Sequence, residues 1–187
     1  MSHAAHAEHA GGNKTIAVLI SLLAAVLAIV ETAGKSAQTE YLSQQVEASN
    51  LWAFYQAKTI RRTVLIAAAD RLQLDRELMP TILGTGPAMD QRVDSWRKDI
   101  DRWETEPETG EGRRELTARA QQAEKKRDLA NKRYHHYEYG SAALQLAIVL
   151  ASASIVTGVA LLAWAAAGLG AVGGIFGLLG AFAPVLV

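Results

Sequence analysis

From Tyr139 to Val187 the chain carries no Asp, Glu, Lys or Arg. A helix rises about 1.5 Å per residue and the hydrocarbon core of a bilayer is about 30 Å thick, so about 20 apolar residues suffice for one crossing. The uncharged stretch is long enough for two. Divided near "WAAAGLG", it predicts spans over 139–165 and 166–187 joined by a tight connection. A third span is predicted over 15–34, "TIAVLISLLAAVLAIVETAG", bounded by Lys14 and Lys35. That segment lacks the basic start of a signal peptide, and Glu31 and Lys35 intrude where cleavage needs small residues, so it reads as a retained anchor.

Whole-chain composition conceals this partition. Hydrophobic residues fill 50% of 187 positions, and 19 Lys and Arg balance 19 Asp and Glu. Eighteen of the basic residues lie between Lys35 and Arg133. A chain without net charge offers little long-range attraction to nucleic acid, which is not expected as a partner. The absence of cysteine excludes disulfides, thiolate catalysis and cysteine-ligated metals.

Lysine and arginine near the ends of spans set their orientation. Lys125, Lys126, Arg127, Lys132 and Arg133 precede the second span, whereas Lys14 stands alone on the far side of the first. The expected topology places the N-terminus outside and the central block in the cytoplasm of a bacterial inner membrane. The five cations are also candidates for lipid-headgroup contact.

The central block, 35–138, has the composition of soluble helices. No glycine or proline falls between Gly34 and Pro80, and apolar residues recur at helical spacing in two sets. One contains Ala37, Tyr41, Ala48, Trp52 and Tyr55; the other contains Ile60, Val64, Ala67 and Leu74. The first span should therefore continue outward as one long helix. "PTILGTGP" predicts a break over 80–89 and "EPETGEG" another over 106–112. A short helix carrying Val93, Trp96, Ile100 and Trp103 lies between them. A returning helix from Arg113 runs without interruption into the second span. The outgoing segment Ser36 to Met79 is as long as Asp90–Thr105 and Arg113–Gly140 together, which suits an antiparallel hairpin. The expected fold is an all-α membrane protein with three transmembrane helices and a long cytoplasmic, coiled-coil-like stalk.

Within the last span, Gly170, Gly173, Gly174, Gly177 and Gly180 leave one side nearly bare of side chains. Lipid supplies no hydrophobic drive between helices, so close backbone approach must supply association. These glycines are candidates for oligomerisation or for packing within the chain. In a ring of subunits the same face is a candidate pore lining. In the second span Ser141, Gln145 and Ser152 fall within about 40° of one another at 100° per residue. With Glu31 of the first span they form either an interhelical hydrogen-bonding stripe or the lining of a polar path.

Residues 1–14 hold His3, His6 and His9, a spacing that could loosely bind a divalent metal without selecting one. A disordered polar tail is the competing reading. The sequence holds no nucleophile elbow, phosphate-binding glycine loop or H-E-x-x-H pair. No enzyme activity and no cofactor are expected.

The blocks "ASNLWAFYQAKTI" and "ANKRYHHYEYGSAALQLAIVLAS" resemble a bacterial membrane-protein family known only as a domain of unknown function, and the resemblance covers nearly the whole chain. It implies a three-span protein with a cytoplasmic helical insert, and it carries no activity or catalytic residue to transfer. The expected function is that of a non-enzymatic, homo-oligomeric scaffold or interaction module. Its partners would be membrane lipid, further copies of itself and a cytoplasmic protein. An oligomeric ion channel lined by the glycine-rich last helix is the alternative.

Overall fold

The computed structural model describes residues 2–78 and 86–185, with side chains from Lys14 onward in the first stretch. Its elements are α1 (Ser2–Leu78), α2 (Gly86–Glu104), α3 (Arg113–Thr157) and α4 (Ala160–Phe182). No strand occurs among the described residues. Portions of α1 and α3, together with α4, are long and apolar enough to cross a membrane.

The chain divides into two compact units. One joins Met1–Ser43 with Lys126–Val187 and packs the first part of α1 against the second part of α3 and α4. Its core is Leu23 and Val30 of α1 with Leu144 and Ala147 of α3, flanked by Leu19, Leu27, Tyr137 and Leu169. Small residues bring these helices close. Gly140 of α3 faces Gly173 of α4, so that a Cβ on Gly140 would stand 3.0 Å from the Gly173 carbonyl oxygen.

The second unit, Gln44–Lys125, contains the later part of α1, α2 and the start of α3. Ala48 and Leu51 of α1 meet Leu116, Ala120 and Ala123 of α3, with Trp52, Phe54 and Tyr55 packed around them. From α2, Val93 and Ile100 are buried while Trp96 and Trp103 are half-buried, as their spacing predicts for one face. The loop over 105–112 closes on its own backbone: the Gly110 amide donates to the Glu106 carbonyl at 2.9 Å, and Glu115 accepts from the Glu106 amide at 3.2 Å. Gly110 has φ of +66°, in the left-handed region that favours glycine.

Two helix boundaries differ from expectation. α2 begins at Gly86, within the expected 80–89 break, while residues 79–85 lie outside the described part. The division between the last two apolar helices falls at Gly158–Val159, not between Ala165 and Ala166. Gly158 adopts φ of +72°, its amide donates to the Ser154 carbonyl at 2.9 Å, and the Ser154 hydroxyl donates to the Val159 carbonyl at 3.0 Å. These bonds satisfy groups that a helix end leaves open. Gly168 and Gly170, beside the division expected near "WAAAGLG", continue the α4 helix. Leu186 and Val187, included in the expected last span, lie outside the described residues.

Candidate functional site

Four of the five candidate glycines pack within the chain. A Cβ added to Gly170 would meet Leu23 of α1, and one on Gly177 would stand 2.9 Å from Val30. On the α3 side, Gly173 faces Leu144 and the Gly140 carbonyl, while Gly180 faces Tyr137 and His136. Gly174 differs, since nothing lies within 4 Å of its Cβ position. It lines an open apolar groove of about 520 Å³ between α1 and α4, with Val26, Ile29, Ala33 and Leu178 among the walls.

The candidate polar stripe is brought together only in part. Gln145 donates from Nε2 to the Glu31 carboxylate at 3.0 Å, joining α3 to α1. Ser141 and Ser152 instead return their hydroxyls to the Glu138 and Ile148 carbonyls of their own helix. Of the basic candidates, Lys125, Lys126 and Lys132 lie at the surface, and Arg127 and Arg133 carry ion pairs. Arg127 pairs with Asp128 at 2.7 Å, and Arg133 approaches Glu40 at 3.9 Å. The side chains of His3, His6 and His9 lie outside the described residues. Among the described residues no three His, Asp or Glu side chains gather as a metal site.

Around Arg113 lies a polar cluster that sequence reasoning missed. The Arg113 guanidinium donates to Thr59 Oγ1 at 3.0 Å, to the Tyr55 hydroxyl at 2.9 Å and to the Glu104 carboxylate at 2.6 Å, clamping α1, α2 and α3 together. Burial pushes the Glu104 carboxyl upward, but the Arg113 hydrogen bond and the charges of Arg113, Arg62 and Arg114 outweigh it and hold the group below the usual carboxylate range. Burial likewise disfavours the Arg113 charge, and the bonds to Tyr55 and Glu104 more than restore it, raising its pKa. Lys58 is also buried, lying 5.1 Å from the Phe54 ring centre and 3.4 Å from Glu106. These charges are engaged with one another, as in a structural clamp.

The most informative surface is on the other side of α1. At 100° per residue, Val46, Ala53, Ile60, Val64, Ala67, Leu74 and Leu78 fall within about 80° of arc. All seven are exposed, Ile60 by 64% and Leu78 by 69%. The buried face, carrying Leu51, Tyr55, Lys58 and Ala69, lies roughly opposite. The two apolar sets in the sequence have mean directions about 110° apart, so they occupy different faces of one helix. The first packs on α3, and the second has no cover among the described residues. The sequence signal was present, because a helix with two apolar stripes on different faces needs a partner for each.

A model of the family described as Domain of unknown function (DUF4337) matches residues 12–183, so the chain belongs to that family. No curated protein and no solved structure matches it.

Proposed function

We propose that this member of the DUF4337 family is a homo-oligomeric scaffold of the bacterial inner membrane, anchored by three spans, with its charged helical block in the cytoplasm. The observation that carries the reading is the exposed apolar stripe of α1 from Val46 to Leu78, within the charged block and not the apolar spans. Burying a Val, Leu or Ile side chain is worth about 1.5–3 kcal/mol, so leaving five of them in water is unfavourable. Three spans in one membrane would hold every copy at the same height and in the same orientation. Identical stripes on neighbouring copies are then in register, and the two-fold contact between them is self-complementary.

The glycine helix takes a different part. Its contacts with Leu23, Val30 and Leu144 support packing of the spans within each subunit, leaving association to the charged block. The reading assigns no catalytic step, no cofactor and no nucleic-acid partner. A soluble protein partner would compete for the same α1 stripe.

The absence of cysteine makes a direct test available. In native membranes a single thiol introduced by Val64→Cys should oxidise to a disulfide-linked dimer, because such a bond requires Cα atoms within about 7 Å. Glu47→Cys, exposed on α1 but off the stripe, should remain monomeric. Equal cross-linking at both positions, or none at Val64, would remove the α1 interface.

A second reading, an oligomeric channel, finds its best support in the Gln145 bond to Glu31 on facing apolar helices. It predicts ion flux from liposomes that is lost in Glu31→Gln. No flux across tension, voltage and salt would remove it.

A further inference from the structure

We infer that a recess between α3 and α4 binds the phosphate-bearing headgroup of an anionic phospholipid. The inference rests on the membrane reading above. Lys132, His135, His136 and Tyr139 of α3 and Phe176 of α4 line a recess of about 300 Å³. The Lys132 ammonium offers up to three donors to an acceptor-rich ligand.

His136 lines the same recess, and its Nδ1-protonated form would add a second donor there. It is 4% exposed, and its Nδ1 is buried without a hydrogen-bond partner. Leaving a buried polar atom unpaired is unfavourable, and an imidazole can donate from either nitrogen. Beside it, His135 Nδ1 meets the Glu138 carboxylate at 3.2 Å, so the neighbouring acid is already engaged. The His135 ring stacks on Tyr139 with centres 6.2 Å apart, and Tyr139 meets Phe176 edge-on at 6.0 Å. These contacts give the recess a braced aromatic wall.

The surroundings favour a lipid over free phosphate. Lys132 lies seven residues before the start of the uncharged run at Tyr139. Farther into that run, Leu146 of α3 is 57% exposed and Val172 of α4 is 44% exposed. A polar recess followed by open apolar surface suits a headgroup with acyl chains, whereas inorganic phosphate would use only the recess. An anionic headgroup also matches the Lys132 charge, which a zwitterionic lipid neutralises only in part.

The test uses the full chain in lipid discs, after an alkaline wash of native membranes has shown that the protein stays with the bilayer. Release in that wash would overturn the membrane reading and this inference with it. Native mass spectrometry then reads bound phosphatidylglycerol against phosphatidylethanolamine. Wild-type protein should retain phosphatidylglycerol preferentially. Lys132→Gln should reduce its occupancy about tenfold, as expected for the loss of one charge-assisted contact, with little change in Lys126→Gln. Membrane retention without headgroup preference would overturn the lipid site alone. Equal losses in the two lysine variants would also overturn it, by showing a diffuse basic surface. Displacement of the lipid by millimolar inorganic phosphate would overturn the lipid assignment and give the recess to free phosphate instead.

Discussion

Arg113 and Gly173 hold helices together by opposite means, one through a guanidinium fork and the other through the absence of a side chain. Arg113→Ala removes donors to Tyr55, Thr59 and Glu104 and leaves their acceptors without that partner. The expected loss is roughly 2–3 kcal/mol of stability, read by thermal or denaturant unfolding with tryptophan emission. The Glu104 carboxyl is held below its ordinary pKa, so its stabilisation is present at neutral pH and lost as pH falls through the lowered value. Glu104→Gln should flatten that acid limb of a stability-against-pH curve, and an unchanged limb would contradict the ion cluster. Gly173→Leu must displace Leu144 or the Gly140 backbone, whereas Gly174→Leu enters open space. The first should lower the unfolding temperature in detergent and the second should leave it nearly unchanged. The Arg113 fork was not legible in the sequence, since "RRE" does not say which arginine turns inward. The glycine stripe was legible, but only coordinates separate Gly173 from Gly174.

At the scale of elements, α1 differs in composition and partners along its length. Continuity from the first apolar segment into the charged block could be read from the lack of glycine and proline between Gly34 and Pro80. Helical spacing identified both Trp52 with Tyr55 and Ile60 with Val64 as apolar faces. Periodicity counts apolar residues without saying what covers them, so the uncovered set emerged only from exposure. Ile60→Asp with Val64→Asp should abolish association while preserving helicity by circular dichroism, because neither residue supports the internal core. Loss of helicity in parallel would contradict the proposed division of labour between the two faces. The α3–α4 junction carries the opposite lesson. The sequence reading placed the junction near "WAAAGLG", whereas the left-handed glycine of the tail is Gly158. Gly158→Ala should destabilise the hairpin by about 1 kcal/mol, seen as a lower unfolding temperature. The structural division gives α4 23 residues, about 35 Å of helix and enough for one crossing.

For the whole molecule, charge is confined to one block of the sequence between Lys35 and Glu138, apart from Glu8, Lys14 and Glu31. The uncharged run and the first apolar segment announced three long apolar helices in advance, and the quoted sequence blocks pointed to the family that matches residues 12–183. Subunit number was not legible, because association depends on surface left over after the chain has packed. Native mass of the full-length protein in lipid discs, beside the Ile60→Asp and Val64→Asp double variant, tests the central proposal most directly. Assembly through α1 predicts a multiple of the 20.1 kDa chain for the wild type and a single chain for the variant. A wild-type monomer, or an oligomer unchanged in the variant, would contradict assembly through α1.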